Sequence, residues 1–148
     1  MGLEHEELTA QILAAAFEVH TTLGPGMLES AYEACLACEL ELRGLQVRRQ
    51  QAVPLIYKGV QIETGYRLDL VVERTVVLEL KAVDQLNSVH QAQLISYLRA
   101  SGYPLGLLIN FHTRQLKEGV RAASTVLEIS TEIRPSDDDV RRRASADE

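Results

Sequence analysis

The sequence predicts an α/β domain, in an α+β arrangement where a mixed four-stranded sheet is flanked by helices. Three observations predict it. Apolar residues recur at helical spacing near the N-terminus, a β-rich middle is divided by turn signals, and a helix then leads into a short, wholly apolar run. The 148 residues fit one domain, expected over 1–134. A hydrophobic fraction of 46% lets a chain of this length bury a core unaided, and with 5% aromatics and no Trp that core must be mostly aliphatic.

Leu8, Ile12, Ala16, Val19 and Leu23 share one face of a helix over 5–23, and Gly24-Pro25-Gly26 breaks it. A second helix is expected from about Leu28 to Arg43, stopping at Gly44 as a left-handed cap. Val47, Gln51, Val53, Leu55 and Tyr57 then share a strand face, and Lys58-Gly59 reads as a tight turn. From Val60 the alternation places Ile62, Thr64, Tyr66, Leu68, Leu70 and Val72 on one face. A loop at 73–75 precedes a strand over 76–83. Ser88 and Gln91 suggest a capping box for a helix from Val89 to about Ser101, ended by Gly102 and Pro104. Leu105 to Phe111 reads as a strand covered on both faces, joined to the preceding strand by a parallel crossover. A fourth helix is expected near 115–123. Residues 135–148, SDDDVRRRASADE after Pro135's ring, are charged and expected to be a disordered tail.

The strand pair around 73–75 carries the chemistry. If the hairpin centres on Arg74, residues whose numbers sum to 148 face each other. Asp69 then meets Glu79 with Cβ atoms ~5 Å apart. Lys81 lies on the same face, opposite an aliphatic face of Leu68, Leu70, Val72, Val76, Leu78 and Leu80. Two opposed carboxylates in a partly buried strand repel and lose hydration. A hard divalent cation or the Lys81 ammonium would offset that. A solvated polar face with an ordinary Glu-Lys pattern is the competing reading. On the second helix, Gly26, Glu29 and Tyr32 share a stripe, away from an outer face assigned to Glu33 and Glu41, although helix physics alone favours reading Glu29 as an N-terminal acid placed by the helix dipole.

The net charge of −6 disfavours a tight, sequence-blind nucleic-acid binder, which needs a basic surface, but not an enzyme that meets phosphates locally. Acidic Glu4, Glu6 and Glu7 do not fit a signal peptide, and no apolar run is long enough to span a membrane. The expected location is cytoplasmic. Cys35 and Cys38 have CxxC spacing in mid-helix without further metal ligands, and are expected to be reduced, buried small side chains. Nucleotide-binding and Ser-hydrolase motifs are missing from the sequence. His20 suits either the cleft or a core position. Arg114, Lys117 and Arg121 would form a stripe on the fourth helix, more simply a solvated face than a phosphate contact.

Gly-Met-Leu-Glu-Ser-Ala-Tyr at 26–32 resembles the signature of the GxxExxY family. Asp69 with Glu79-Leu80-Lys81 resembles the PD-(D/E)XK nuclease superfamily, and Gln93-Leu-Ile-Ser-Tyr97 resembles the QxxxY element of its recombination-exonuclease branch. The resemblance covers roughly 5–123. Leu68 stands where the superfamily name places proline, a position without a metal ligand. The resemblance implies a restriction-endonuclease-like core and a metal-dependent nuclease. Glu29, Asp69, Glu79 and Lys81 would be catalytic, and Asp69, Glu79, the Leu80 carbonyl and Glu29 would hold Mg²⁺ or Mn²⁺. Tyr32, Arg67, Gln93 and Tyr97 would contact substrate. The implied partner is nucleic acid, DNA foremost, and a homodimer is compatible with it. The alternative is a catalytically inactive module of the same fold that binds nucleic acid or protein.

Overall fold

The computed structural model describes residues 2–125, with side chains from residue 5 onward. The tail expected at 135–148 and the end of the expected domain lie outside the described residues. Helices α1 (Gly2–Leu23) and α2 (Glu29–Leu42) lead into strands β1 (Val47–Ala52), β2 (Leu55–Tyr57), β3 (Val60–Ile62), β4 (Arg67–Val72) and β5 (Val76–Lys81). Helix α3 (Ser88–Ser101), strand β6 (Leu105–Asn110), a 3-10 turn at Leu116–Gly119 and strand β7 (Val120–Ser124) complete the order. The main sheet runs β1-β4-β5-β6-β7, with β5 and β6 parallel and the other neighbours antiparallel.

Two apolar layers cover this sheet. On one face, Ile12, Ala16 and Val19 of α1 and Tyr32, Leu36 and Leu40 of α2 pack on Leu70, Val72, Leu78, Leu80, Leu107 and Ile109. On the other, Leu94, Tyr97 and Leu98 of α3 pack with Leu68, Val71, Val77 and Leu108. Strand β6 is covered on both sides, as its unbroken apolar run requires. Gly106 lets α3 lie close, because a Cβ there would meet the Leu94 side chain at 2.7 Å.

Four expectations change. The sheet has five strands, because residues 120–124 pair with β6 in place of the fourth helix. Gly119 disfavours continued helix, and a Cβ there would stand 2.5 Å from the Asn110 carbonyl oxygen. Strand pairing also satisfies the outer edge of buried β6. The Arg114, Lys117 and Arg121 stripe therefore does not exist: the three fall in a turn, the 3-10 segment and β7. The long strands expected around Lys58-Gly59 are interrupted. Only β2 and β3 flank that turn, as a separate two-stranded hairpin that exposes Ile56, Tyr57 and Val60. The capping box of α3 sits one residue earlier, with Asn87 accepting from the Val89 and His90 amides and His90 accepting from the Asn87 amide.

The fourth change lies in β1 and β4, where the two-residue alternation fails at one level. Arg49 and Leu70 are paired and face α2: Arg49 bonds Glu33, and Leu70 joins the α1–α2 core. Two residues on, Gln51 and Leu68 are also paired but face α3. Gln51 bonds Tyr103, and Leu68 joins the α3 core. Val53 follows Gln51 to that side, whereas Val47 stays on the first. The level between them holds Gln50 and Asp69, and Gln50 has a left-handed backbone with φ 53°. Such a φ is uncommon for a non-glycine residue, and it breaks the alternation that would otherwise keep i and i+2 on one face.

The entry to α2 is fixed by Tyr32. Its ring is buried and stacks on Phe111 at 4.6 Å. Its hydroxyl donates to the Gly24 carbonyl and accepts from the Met27 amide, closing the Gly24-Pro25-Gly26 turn. Tyr32→Phe keeps the stack and removes both bonds. The expected loss is about 1–2 kcal/mol, a fall in melting temperature of roughly 3–8 °C. An unchanged melting temperature would show that the turn is held by something else.

Candidate active site

The β4–β5 register matches the one read from the sequence: Leu70↔Leu78, Val71↔Val77 and Val72↔Val76. The loop between them turns on two left-handed residues, Glu73 and Arg74, a geometry that suits a tight hairpin. Backbone pairing stops at Leu70↔Leu78 although both strands continue. At the next level, side chains take over from the backbone. The Asp69 amide donates to Glu79 Oε2 at 3.0 Å, and the Leu80 amide donates to Asp69 Oδ2 at 2.8 Å. Each strand's N–H is thus held by the other strand's carboxylate. Gln50 falls between the pairs Arg49↔Leu70 and Gln51↔Leu68, at the level of Asp69, and its side-chain amide reaches the Asp69 carboxylate.

Burial and crowding dominate the electrostatics. Glu79 is only 5% exposed. Burial first, and then the charge of Asp69, push its carboxyl from the ordinary 4.5 to about 8. Asp69 is also raised, chiefly by burial and further by Glu33, against the lowering effect of the Leu80 amide. Glu29 lies at the solvent-exposed start of α2, but its carboxyl reaches inward. It feels Lys81 and Asp69, and the Ala82 backbone N–H stabilises its charge. The net shift is upward, led by burial of the carboxyl. Asp69 and Glu79 are thus joined directly across the strands, while Glu29 at the start of α2 and Lys81 at the end of β5 lie within electrostatic reach of them.

Lys81 stands differently from expectation. Its Nζ donates to Gln93 Oε1 at 3.4 Å, and among the described residues it forms no ion pair with the acids. Its charge lowers the carboxyl pKa values from a distance, so it offsets the acids only in part. Gln93 and Tyr97 of α3 border the site. Burial raises the Tyr97 hydroxyl pKa, with Glu79 the next cause, and its ring lies 5.6 Å from that of Tyr66. Arg67 is exposed at the start of β4 and donates to the Gln50 carbonyl. Tyr32, expected to meet substrate, does not reach the site. It is fully buried and its hydroxyl is committed to the turn before α2.

Two further expectations change, for Glu33 and the cysteines, and His20 takes the core position among its two alternatives. Glu33 was assigned to the outer face of α2 but is buried, accepting from Arg49 Nε at 3.2 Å and from Gln50 Nε2 at 2.6 Å. Its i+4 spacing from Glu29 was the available signal. Cys35 and Cys38 are exposed, not buried, because Tyr32, Leu36 and Leu40 take the inward face of α2. His20 is a core group, 2.7 Å from the Thr113 carbonyl. Two surface concavities lie elsewhere, one against Gln11, Leu45 and Glu73, the other at Arg114, Gln115 and Glu118. Neither gathers charges with shifted pKa values, so the chemistry points to the acid row.

The donor set can be tested against a divalent ion. Among the described residues, no three His, Cys, Asp or Glu side chains stand close enough to enclose a metal. Mg²⁺ does not require such a cage, since it is commonly held by one or two carboxylates with water and phosphate oxygens. Asp69 and Glu79 supply that pair, each spending one oxygen on a backbone amide across the strands. The residues fit a hard cation in an open site.

Helices on both faces of a mixed sheet, with an acid-rich break and a neighbouring lysine on the central strands, define a nuclease-type domain. A family model described as the PD-(D/E)XK nuclease superfamily matches residues 6–123, and the chain belongs to that superfamily. Members of that superfamily generally use divalent metals, and membership supports nuclease activity, a hydrolase class acting on nucleic acid. No curated protein and no solved structure matches the chain. Among the described residues, no helix is long and apolar enough to cross a membrane.

The raised Glu79 pKa sets a pH dependence. Above pH 4.5 the unfolded chain gives up a proton that the folded chain keeps until about pH 8. The favourable contribution is thus complete below 4.5 and is lost as pH rises towards 8. The metal-free melting temperature should fall across that interval, and Glu79→Gln should remove most of the slope. Parallel pH profiles for the two proteins would place the retained proton elsewhere.

Proposed function

We propose that this chain is a divalent-metal-dependent nuclease that hydrolyses phosphodiester bonds, with DNA as its preferred substrate. The observation that carries the reading is the Asp69–Glu79 exchange of carboxylate and amide across the strand break, with Lys81 beside it and Glu29 reaching in from α2. Within the superfamily, the turn at Gly26, the inward Glu29 and the bracing Tyr32 support the GxxExxY branch.

Asp69 and Glu79, with the Leu80 carbonyl, would hold Mg²⁺ or Mn²⁺. When bound, the ion neutralises charge on the phosphate and polarises the scissile bond. Glu79 must release its proton before it can serve as a ligand, which couples metal affinity to pH. Glu29 contributes through water. Lys81, tethered through Gln93, places a cation beside the attacking water and the developing phosphoryl charge. The water oxygen bonds to phosphorus and releases a proton to solvent, the ester P–O bond breaks, and the leaving oxygen takes a proton from solvent. Arg67 supplies a guanidinium for a neighbouring phosphate, and Gln93 and Tyr97 line the edge of the cleft.

The net charge of −6 favours a second reading, a non-catalytic module of the same fold. Two measurements separate them. Mg²⁺ at a hundred times its dissociation constant should stabilise the protein by about 2.7 kcal/mol, raising the melting temperature by roughly 5–10 °C, and Asp69→Asn should abolish the rise. Lys81→Met should fold and bind Mg²⁺ but show no cleavage of single- or double-stranded DNA or RNA above background. Equal cleavage by wild type and Lys81→Met would reduce Lys81 to a counter-charge. Metal and nucleic-acid binding without cleavage by wild type would support the module.

A further inference from the structure

Gln50 lies on edge strand β1, outside every element that the metal-site reading uses. Its backbone is strained, with φ 53°. A glutamine gains nothing locally from that conformation, and strain of this kind persists only where the surroundings enforce it. Three contacts do so. The Gln50 carbonyl accepts from Arg67 at 3.1 Å. The side-chain amide donates to Glu33 Oε1 at 2.6 Å and to Asp69 Oδ1 at 3.3 Å. Glu33 is itself buried and steadied by Arg49 at 3.2 Å.

The chemistry of that bridge is specific. Glu33 and Asp69 are like charges, and Glu33 is among the groups that raise Asp69. A glutamine amide offers two N–H donors without adding charge. One goes to each carboxylate, so the bridge relieves the repulsion without competing for a cation as a lysine would. It also fixes rotation. Asp69 Oδ2 is held by the Leu80 amide, and Oδ1 is held by Gln50. With both oxygens restrained from opposite sides, the carboxylate plane is defined before any ligand arrives.

We propose that Gln50, anchored by Glu33 and Arg49, is a positioning residue that sets the orientation of the Asp69 carboxylate, and that the left-handed backbone exists to deliver this amide. The part concerning metal rests on the function proposed above. The part concerning Asp69 does not.

The test is Gln50→Gly, which tolerates the left-handed φ while deleting the amide. Gln50→Asn serves as a second variant, since Asn also adopts this conformation but is one methylene shorter. In the metal-free protein, relief of the left-handed backbone in Gln50→Gly offsets the lost bridge, so the expected melting temperature is close to wild type. Hydrogen exchange at the Leu80 amide, which Asp69 Oδ2 accepts, should be at least about tenfold faster, with Leu78 unaffected. Calorimetric titration with Mn²⁺ should show an affinity about 10–100-fold weaker than wild type, the range for losing a group that orients a ligand. Unchanged Leu80 exchange in a variant of native stability would overturn the inference. If wild type binds no Mn²⁺ and the Leu80 effect is still present, the positioning role stands and the metal-nuclease reading fails.

Discussion

Between β4 and β5 the backbone ladder gives way, at Asp69 and Glu79, to two bonds in which each strand's amide is held by the other's carboxylate. A sheet does not tolerate unpaired buried N–H groups, so this exchange allows the strands to part without leaving orphans. It also fixes what a site here can be. Glu79 gives one oxygen to the fold, and Asp69 gives Oδ2 to the Leu80 amide while the Gln50 side chain orients its Oδ1. The change of face at Gln50 and Asp69 belongs to the same level of the sheet, because β1 must depart from regular alternation where β4 does.

The arrangement costs stability in the metal-free protein. Burying Glu79 beside Asp69 holds its proton up to about pH 8, and Lys81 sits too far off to form an ion pair. A structural salt bridge would be built with the lysine drawn in between the acids. Here Gln93 holds it on the α3 side, Glu29 closes the site from α2, and a neutral amide separates Asp69 from Glu33. That pattern suits a site whose neutralising charge comes from a ligand, and it is the kind of local cost that functional sites sustain elsewhere in their folds.

Much of this was legible in the sequence, and the rest failed for identifiable reasons. The Asp69–Glu79 level followed from the alternation around a short hairpin loop, since register is set by local pattern and turn length. The parallel pairing of β5 with β6 followed from an apolar run after a helix. Strand β7 was hidden because its sequence tolerates helix, and only the unsatisfied edge of β6 selects strand, a non-local constraint. Glu33 was readable from its spacing to Glu29 but was outweighed by the habit of acids to face water. The face change at Gln50 had no local signal, because glutamine carries none of the left-handed preference of glycine or asparagine. Tyr32 was placed correctly on its stripe but given the wrong task, because its hydroxyl's partners lie in the preceding turn.

If the broken ladder forms a cation site, a hard divalent ion should occupy it in the folded protein. This is tested most directly by anomalous scattering from crystals of the wild-type protein grown or soaked with Mn²⁺. One strong manganese peak is expected within coordination distance of both the Asp69 and Glu79 carboxylates, with Glu29 linked to it through water. A peak at other residues, or none at Mn²⁺ concentrations that raise the melting temperature, would contradict it.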